Sequence, residues 1–527
     1  MNKEIYLDLV LEQMPRLIGL LDRNPLSKTY GCFDRNYWLY RITDFPGARW
    51  QEAALTLALL YKLKNKKNIY YNNENILELI HASLNFWIKM QEENGSFNEW
   101  YPHENSYVAT AFSTYAVSEI MLNLNIQDEK LLKAVRKAAD FLYRKKETRV
   151  QNQETGAIIA LYNAYLLTND IKYANKCNEK LENLKNKQKT EGWFTEYNGA
   201  DIGYLSLAVD YLIKYYEKSG DSTANLMAEK ATDFISNFLN PDGSAGGDFA
   251  SRNTEYLIPS GFEAMDNGKS KIIAGFLRNS LNERKITAIY NLDDRYLAYN
   301  AYNYLQAYEK ASDELNKVNF KVEEKYFDDA GIYIFENKNY KLIANLKKGA
   351  AFKIFFKKRT YNDSGVQVQG KNVNLFSALA NDSSIVIQGK RLVSLGNFSI
   401  IKTKTFDSLK MIASRAFQET IGNIESVGSL MKEVLRDKVI TSNEKSFRKY
   451  KRTIEIQDEG IVVTDEIKIP KNSTVILGGK SSYNMVPSSK YFTKDELGAG
   501  IIKIKAEKEK IIVKREINTS RITAKSI

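Results

Sequence analysis

The sequence predicts a multidomain α+β protein: an N-terminal (α/α) toroid of helical hairpins over residues 1–314, then an antiparallel β-sandwich over residues 315–527. Three observations predict it. At 527 residues the chain is longer than one hydrophobic core sustains. Its apolar residues change period, from helical spacing before about Glu314 to strict alternation after about Tyr326. The helical part also repeats itself at intervals of about fifty residues.

Helices come first. In WQEAALTLALLY, residues Trp50, Ala53, Ala54, Leu57 and Tyr61 share one face. In YLSLAVDYLIKYY the same stripe is Tyr204, Leu207, Ala208, Tyr211, Leu212 and Tyr215. The repeat shows in the loops between such helices. ENGSFNEWYPHENSYVATAF carries Gly95, Phe97, Glu99 and Trp100, and KTEGWFTEYNGADIGYLSL carries Gly192, Phe194, Glu196 and Tyr197 in the same layout. Looser copies start at Gly243 and Gly47, and RVQNQETGAIIAL falls midway through the longest interval. Each unit is a helix–loop–helix hairpin that cannot bury its stripe alone, so about six must stack, as a closed double ring or as a straight solenoid. Closure would gather the loops before the inner helices at one mouth. Asp44, Arg49, His103, Tyr107, Asn152, Gln153, Asp201, Tyr204, Arg252 and Tyr256 would then share a rim. Phe97 and Phe194 read as packing staples.

Strands follow. KYKRTIEIQDEGIVVTDEIKIP reads as a hairpin: Ile454 and Ile456 alternate with polar residues, Asp458 to Gly460 turn, and Ile461, Val463, Ile467 and Ile469 resume. GIYIFEN, YKLIANLK, SSIVIQGK, NFSIIKTK and EKIIVKREI are further strands. Runs of strands after runs of helices imply separate domains, with ASDELNKVNFKVEEK as the junction.

Bulk properties bound the partners. The formal charge of +12 favours an anionic partner, and 33 tyrosines offer flat faces with polar tips that suit sugar rings. No dense basic run interleaved with aromatics points to nucleic acid. No stretch reaches the ~20 apolar residues of a membrane span. The first residues lack the basic start, apolar core and cleavage site of a signal peptide, so a cytoplasmic protein is expected. Cys32 and Cys177 have no metal-ligand spacing and read as buried small hydrophobes. His81, on the apolar helix ELIHASLNFW, reads as a core residue. No metal and no cofactor are expected, and no nucleotide fingerprint, P-loop or catalytic triad is present.

RVQNQETGAIIAL at the start of one inner helix, NGADIGYLSLAVDYL one unit later, and the strand-rich C-terminal half resemble the heparinase II/III-like family and its alginate-lyase relatives. The resemblance implies a polysaccharide lyase that cleaves a uronate glycoside by β-elimination. That chemistry needs an amide or cation to neutralise the uronate carboxylate as charge builds, a base for the C5 proton, and an acid for the departing oxygen. By motif position, Asn152 matches the family's carboxylate-binding Asn and Tyr204 its catalytic Tyr. The family commonly has His directly after that Asn; here Gln153 stands there, and glutamine is no base. The chain then relies on Tyr204 alone, recruits another group such as His103 in the YPHENSY loop, or has lost elimination.

SRNTEYLIPSGFE offers Arg252 for a bidentate carboxylate contact, with Glu255 and Tyr256 as acid/base groups, or else an Arg–Glu brace. FDRNYWLYRITDFPGARW packs Asp34, Arg35, Arg41, Asp44 and Arg49 among aromatics, as a sugar-binding rim or an ion-pair network. Arg49, Trp100, Tyr107, Asp201, Arg252, Glu255, Asn152 and Gln153 are therefore candidate substrate contacts, and Tyr204, His103 and Tyr256 candidate catalytic groups. The expected partner is an anionic polysaccharide or oligosaccharide, met in the cytoplasm either in synthesis or tailoring of a cell-surface polysaccharide or in digestion of imported oligosaccharides. Alternatives on the same scaffold are a uronate C5-epimerase, a glycoside hydrolase using two carboxylates, and a non-catalytic glycan-binding protein.

Overall fold

The computed structural model describes residues 2–313, 315, 324–401, 407–424, 427–428, 444–479 and 500–526. The helical half is a closed double ring. Its inner helices are α3 (Ala53–Lys62), α5 (Tyr107–Leu124), α7 (Gln151–Thr168), α9 (Ile202–Ser219), α11 (Ser260–Ala264) and α13 (Asp294–Lys310). Each packs on the next, and α13 returns to α3, which excludes the solenoid. Outside them lie α1 (Glu4–Leu20), α4 (Glu74–Lys89), α6 (Glu129–Arg144), α8 (Ile171–Lys185), α10 (Ser222–Ser236) and α12 (Gly268–Asn282), with α2 (Arg35–Trp38) in a connection.

The two rings differ in composition because they differ in environment. Inner helix α5 is buried on all sides, so its polar residues are short ones such as Thr110, Ser113 and Ser118, whose hydroxyls donate to carbonyls within the helix. Outer helix α6 buries only Leu131, Ala134, Val135, Ala138, Ala139, Phe141 and Leu142 and turns its charges to solvent. Inner helices α5, α7 and α9 end on left-handed residues, Asn125 (φ 53°), Asn169 (φ 56°) and Gly220 (φ 74°). The following outer helices open on Asp128, Asp170 and Asp221, whose carboxylates accept from first-turn amides. This stop-and-start pair makes each hairpin.

The loop repeat has a physical basis. Gly95, Gly192 and Gly243 donate their N–H to the residue three before, at 2.8–3.0 Å, with φ of 91°, 101° and 85°. A side chain at Gly95 or Gly192 would strike the Lys137 or Lys230 carbonyl of an outer helix, 2.1 and 2.2 Å from an added Cβ. The side-chain amides of Gln91 and Gln188 clamp the same turns to the carbonyls of Ala134 and Met227. In the first unit the equivalent glycine is Gly31 (φ 91°), clamped by Gln51, and not Gly47, whose φ is −76°. Phe97 and Phe194 are buried, as expected for staples, and so are Cys32 and Cys177. His81 is exposed, because it lies on the solvent side of α4 while Ile80, Ser83, Leu84 and Trp87 face inward.

The β half has two sheets. β1 (Lys325–Phe327), β2 (Ile332–Glu336), β3 (Tyr340–Asn345), β4 (Ala351–Phe356) and β5 (Arg359–Asp363) form a meander. The larger sheet contains β6 (Gln367–Gln369), β7 (Asn374–Phe376), β8 (Ser384–Gln388), β9 (Arg391–Ile401), β10 (Lys445–Gln457), β11 (Gly460–Lys468), β12 (Ser473–Leu477), β13 (Ile502–Ala506), β14 (Lys510–Asn518) and β15 (Ile522–Ser526). Its order is β13-β12-β6-β7-β9-β10-β11-β14-β15, with β8 also on β9, and all these pairings are antiparallel. The expected hairpin is β10–β11, in register from Tyr450↔Ile467 to Gln457↔Gly460. The five-stranded sheet is the middle layer. Phe327, Ile332, Ile334, Ile343 and Phe355 join the helical core, while Leu342, Phe352 and Ile354 pack on Leu392, Ile454, Ile461 and Val463 of the larger sheet. Burial on both faces is why β3 and β4 read as apolar runs. A helix, α14 (Ser408–Glu419), interrupts the strands. The change from helix to strand lies between Lys310 and Lys325; residue 314, where the boundary was expected, is outside the described residues.

Candidate active site at the mouth of the toroid

The inner helices start at the end of the ring that faces the meander, and the loop before α11 is held there from both sides. Asp201, fully buried, caps α9 by accepting from the Tyr204 amide at 3.1 Å. Its other oxygen accepts from the Arg252 amide at 3.0 Å. From the sandwich side, buried Lys348 donates to the carbonyls of Asp248 and Ala250 and to Asn253 Oδ1, at 2.6–2.8 Å. Burial lowers the Lys348 ammonium to about 8. The Arg252 loop is thereby fixed against the first turn of α9.

Tyr204, half-buried, lies within electrostatic reach of Tyr296, Tyr197 and Arg252. Burial, reinforced by the two neighbouring phenols, pushes its own phenol well above the ordinary 10, while Arg252 opposes the rise. Tyr256, buried, is raised in the same way by burial and then by Tyr204 and Tyr296, with Arg49 opposing. Arg252 stacks over the Tyr197 ring at 4.2 Å. Its buried Nε has no hydrogen-bond partner, and among the described residues no carboxylate pairs with it.

A second, contiguous group joins through α13, where the Tyr296 and Tyr299 rings lie 5.4 Å apart. Arg49 stacks over Tyr299 at 3.8 Å and pairs with fully buried Glu52 at 2.7 Å. Burial holds the Glu52 carboxyl up at about 7 despite Arg49. Arg295 stacks over Trp100 at 3.9 Å and pairs with Glu99 at 3.3 Å. Trp100, 53% exposed, borders a cavity of about 480 Å³ with Glu99, Arg295, Asp34, Arg35 and Trp50.

The other expected residues are placed as follows. Asn152 is buried and committed to Glu196, its amide and side-chain N–H donating at 3.0 and 2.9 Å; burial pushes the Glu196 carboxyl well above the usual range. Gln153 is half-buried beside it. Tyr107 is internal: its hydroxyl donates to Glu154 and accepts from Lys180, at 2.9 and 3.0 Å. Glu255 lies 3.6 Å from buried Lys353 and makes no ion pair with Arg252, so the Arg–Glu brace does not form. His103 sits between Glu92 (3.3 Å) and Glu419 of α14 (3.7 Å), without contact to Tyr204 or Tyr256. Asp44 is exposed and pairs with Arg415 of α14 at 2.9 Å, so α14 rests on the rim at two points. Asp34 caps α2 and accepts from the Gly47 amide. Arg295, Tyr296, Tyr299 and Glu52 were not singled out from the sequence, and Tyr197 was read only as part of the repeated loop. DDRYLAYNAYNYL carried the signal, since Tyr296, Tyr299 and Tyr302 recur every third residue after Arg295.

With this geometry in place, known proteins give three comparisons. The family model of the A-macroglobulin TED domain matches residues 29–203, from before α2 to the start of α9. No curated protein matches by sequence. Among solved structures, a Paenibacillus xanthan lyase aligns over 99% of this chain and 54% of its own, at 10% identity and a TM-score of 0.54. A chondroitin AC lyase of Streptomyces coelicolor A3, in complex with chondroitin sulphate, aligns over 89% of this chain and 71% of its own, at 9% identity and a TM-score of 0.50. The likeness is one of fold. This chain spans about half the length of the xanthan lyase and shares with both polysaccharide lyases a helical toroid followed by an antiparallel β-sandwich. No helix among the described residues is long and apolar enough to cross a membrane.

Proposed function

We propose that the chain is a carbohydrate-active enzyme that binds a uronate-containing polysaccharide or oligosaccharide at the toroid mouth and cleaves it by β-elimination. In this reading residues 1–314 are the catalytic domain and 315–527 the domain that braces the Arg252 loop. A closer kinship with the heparinase II/III-like family belongs to the same proposal. The observation that carries it is Arg252, a guanidinium without a carboxylate partner, beside the half-buried phenol of Tyr204. The two neighbours in fold support it by their names, as lyases of xanthan and of chondroitin.

The roles follow from chemistry. Asn152 is engaged by Glu196, so Arg252 pairs with the substrate carboxylate and stabilises the negative charge that builds on it as C5 is deprotonated. Tyr204 as phenolate takes the C5 proton. The electron pair forms the C4–C5 double bond while the C4–O bond breaks, and the phenol returns the proton to the departing oxygen, with Tyr256 alongside. Trp100, Arg295 and Arg49 line the approach for neighbouring sugars. Neither Gln153 nor His103 is needed.

The test is incubation with a panel of uronate polymers in heavy water, following ultraviolet absorbance of the new double bond and deuterium at C5. Absorbance that disappears in Tyr204→Phe supports elimination. Deuterium at C5 without absorbance replaces it with epimerisation, and silence on every polymer removes the catalytic claim.

A further inference from the structure

A second cavity lies where the open edge of the meander meets the toroid, about 1100 Å³, sharing no lining residue with the cavity beside Trp100. That volume exceeds the usual range for a single small ligand and leaves room for several sugar units. One wall is the Asn337–Asn339 turn between β2 and β3, with the neighbouring Lys357–Lys358 turn between β4 and β5. The register Tyr340↔Phe356 puts both turns at one end of the sheet. Arg284 and Lys285 of the toroid stand opposite, and Lys341 and Lys353 form the floor.

Charge and hydrogen bonding say what fits. Lys338, Lys357 and Lys358 are exposed and make no ion pair among the described residues, so three cations converge on one groove. Two buried atoms of the lining, Arg359 Nε and Asn362 Oδ1, have no hydrogen-bond partner among the described residues. One is a donor and the other an acceptor, the two functions that a hydroxyl can match. The lining also includes Asp242 and Glu336, whose carboxylates accept hydrogen bonds from sugar hydroxyls. Tyr340, Phe355, Phe356 and Tyr361 are at most 7% exposed and leave no free ring on which bases could stack.

We infer that this groove is a second saccharide-binding site, holding an acidic polysaccharide chain through Lys338, Lys357 and Lys358, apart from the toroid mouth. It takes its ligand class from the proposed function but does not depend on catalysis. A site of this kind tethers a long polymer while the mouth acts on it, so its effect grows with chain length.

The experiment uses the full chain carrying Tyr204→Phe, so that binding is read whether or not the mouth turns the polymer over. Polygalacturonate affinity is measured by titration calorimetry across a salt series, with and without Lys338→Ala, Lys357→Ala and Lys358→Ala together. The expected result is roughly a tenfold loss of affinity and a shallower salt dependence, with the melting temperature unchanged, since all three side chains are exposed. An unchanged affinity overturns the proposal, as does equal binding of neutral dextran. Oligothymidylate bound as tightly as polygalacturonate overturns the saccharide assignment in favour of nucleic acid.

Discussion

Arg252→Ala separates the proposed chemistry from the fold that supports it. The bonds that fix residue 252 run through its backbone amide to Asp201 and through Lys348 to the neighbouring carbonyls, and none uses the side chain. Truncation therefore removes one stacking contact over Tyr197, worth about 0.5–1 kcal/mol at a partly exposed site. In a chain of this size that lowers the melting temperature by no more than a few degrees, about 2–4 °C per kcal/mol. Catalysis loses far more. A guanidinium aimed at the developing charge on a uronate acts as an oxyanion-hole donor does, and losing one such donor costs roughly 10²–10³ in rate, about 3–4 kcal/mol. Initial rates of absorbance increase on a cleaved polymer give kcat/KM directly. Arg252→Lys should fall between the wild type and the alanine variant, because an ammonium keeps the charge and loses the planar fork. If Arg252→Ala retains kcat/KM within about a factor of three, the carboxylate role assigned to Arg252 is wrong.

Three other predictions rest on separate parts of the structure. Because burial holds the Tyr204 phenol above 10, its phenolate is a minority at neutral pH, so kcat/KM should climb roughly tenfold per pH unit up to that raised value; a flat profile removes Tyr204 as the base. In the sandwich, Asp363 and Asp465 bridge Arg452 and Arg515, all four fully buried, and Asp363→Asn should cost about 3–5 kcal/mol in a denaturant titration. Burial raises the Asp363 carboxyl, but the two arginines together overcome this and hold it below its usual value. Its stabilisation is thus present above the unfolded value of about 3.9 and is lost only as pH falls through the lower folded one; a loss beginning near neutral pH would contradict this. Gly192→Ala places a Cβ 2.2 Å from the Lys230 carbonyl at a φ of 101°, and should cost about 1–3 kcal/mol by thermal melting without altering substrate specificity.

What could be read from the chain alone follows from where the constraint is local. The change of period predicted the two halves because helix and strand spacing are imposed residue by residue, and β10–β11 formed where alternation met a tight turn. The glycine repeat predicted a common mouth for a steric reason, the approach of each loop to an outer-helix carbonyl at Gly95 and Gly192. The choice of Gly47 failed because it matched a letter and not a conformation: Gly31, inside a longer turn, has the positive φ and the Gln51 clamp. Site residues split along the same line. Tyr204 and Arg252 were placed on the rim because each stands at a fixed offset from its loop, and the structure sets them within electrostatic reach of each other. Tyr107, Asn152 and Asp201 share such offsets, yet the structure binds them to Lys180, Glu196 and Thr254, partners as much as 73 residues distant, so the rim position alone did not reveal that their polar groups were already engaged. Tyr296, Tyr299 and Arg295 were missed for the converse reason. They reach the mouth only because α13 closes the ring onto α3, and closure of a ring is a property of all six inner helices together. That closure also brings Arg295 to Glu99 and Trp100 across 196 residues of chain, an ion pair no window of sequence contains.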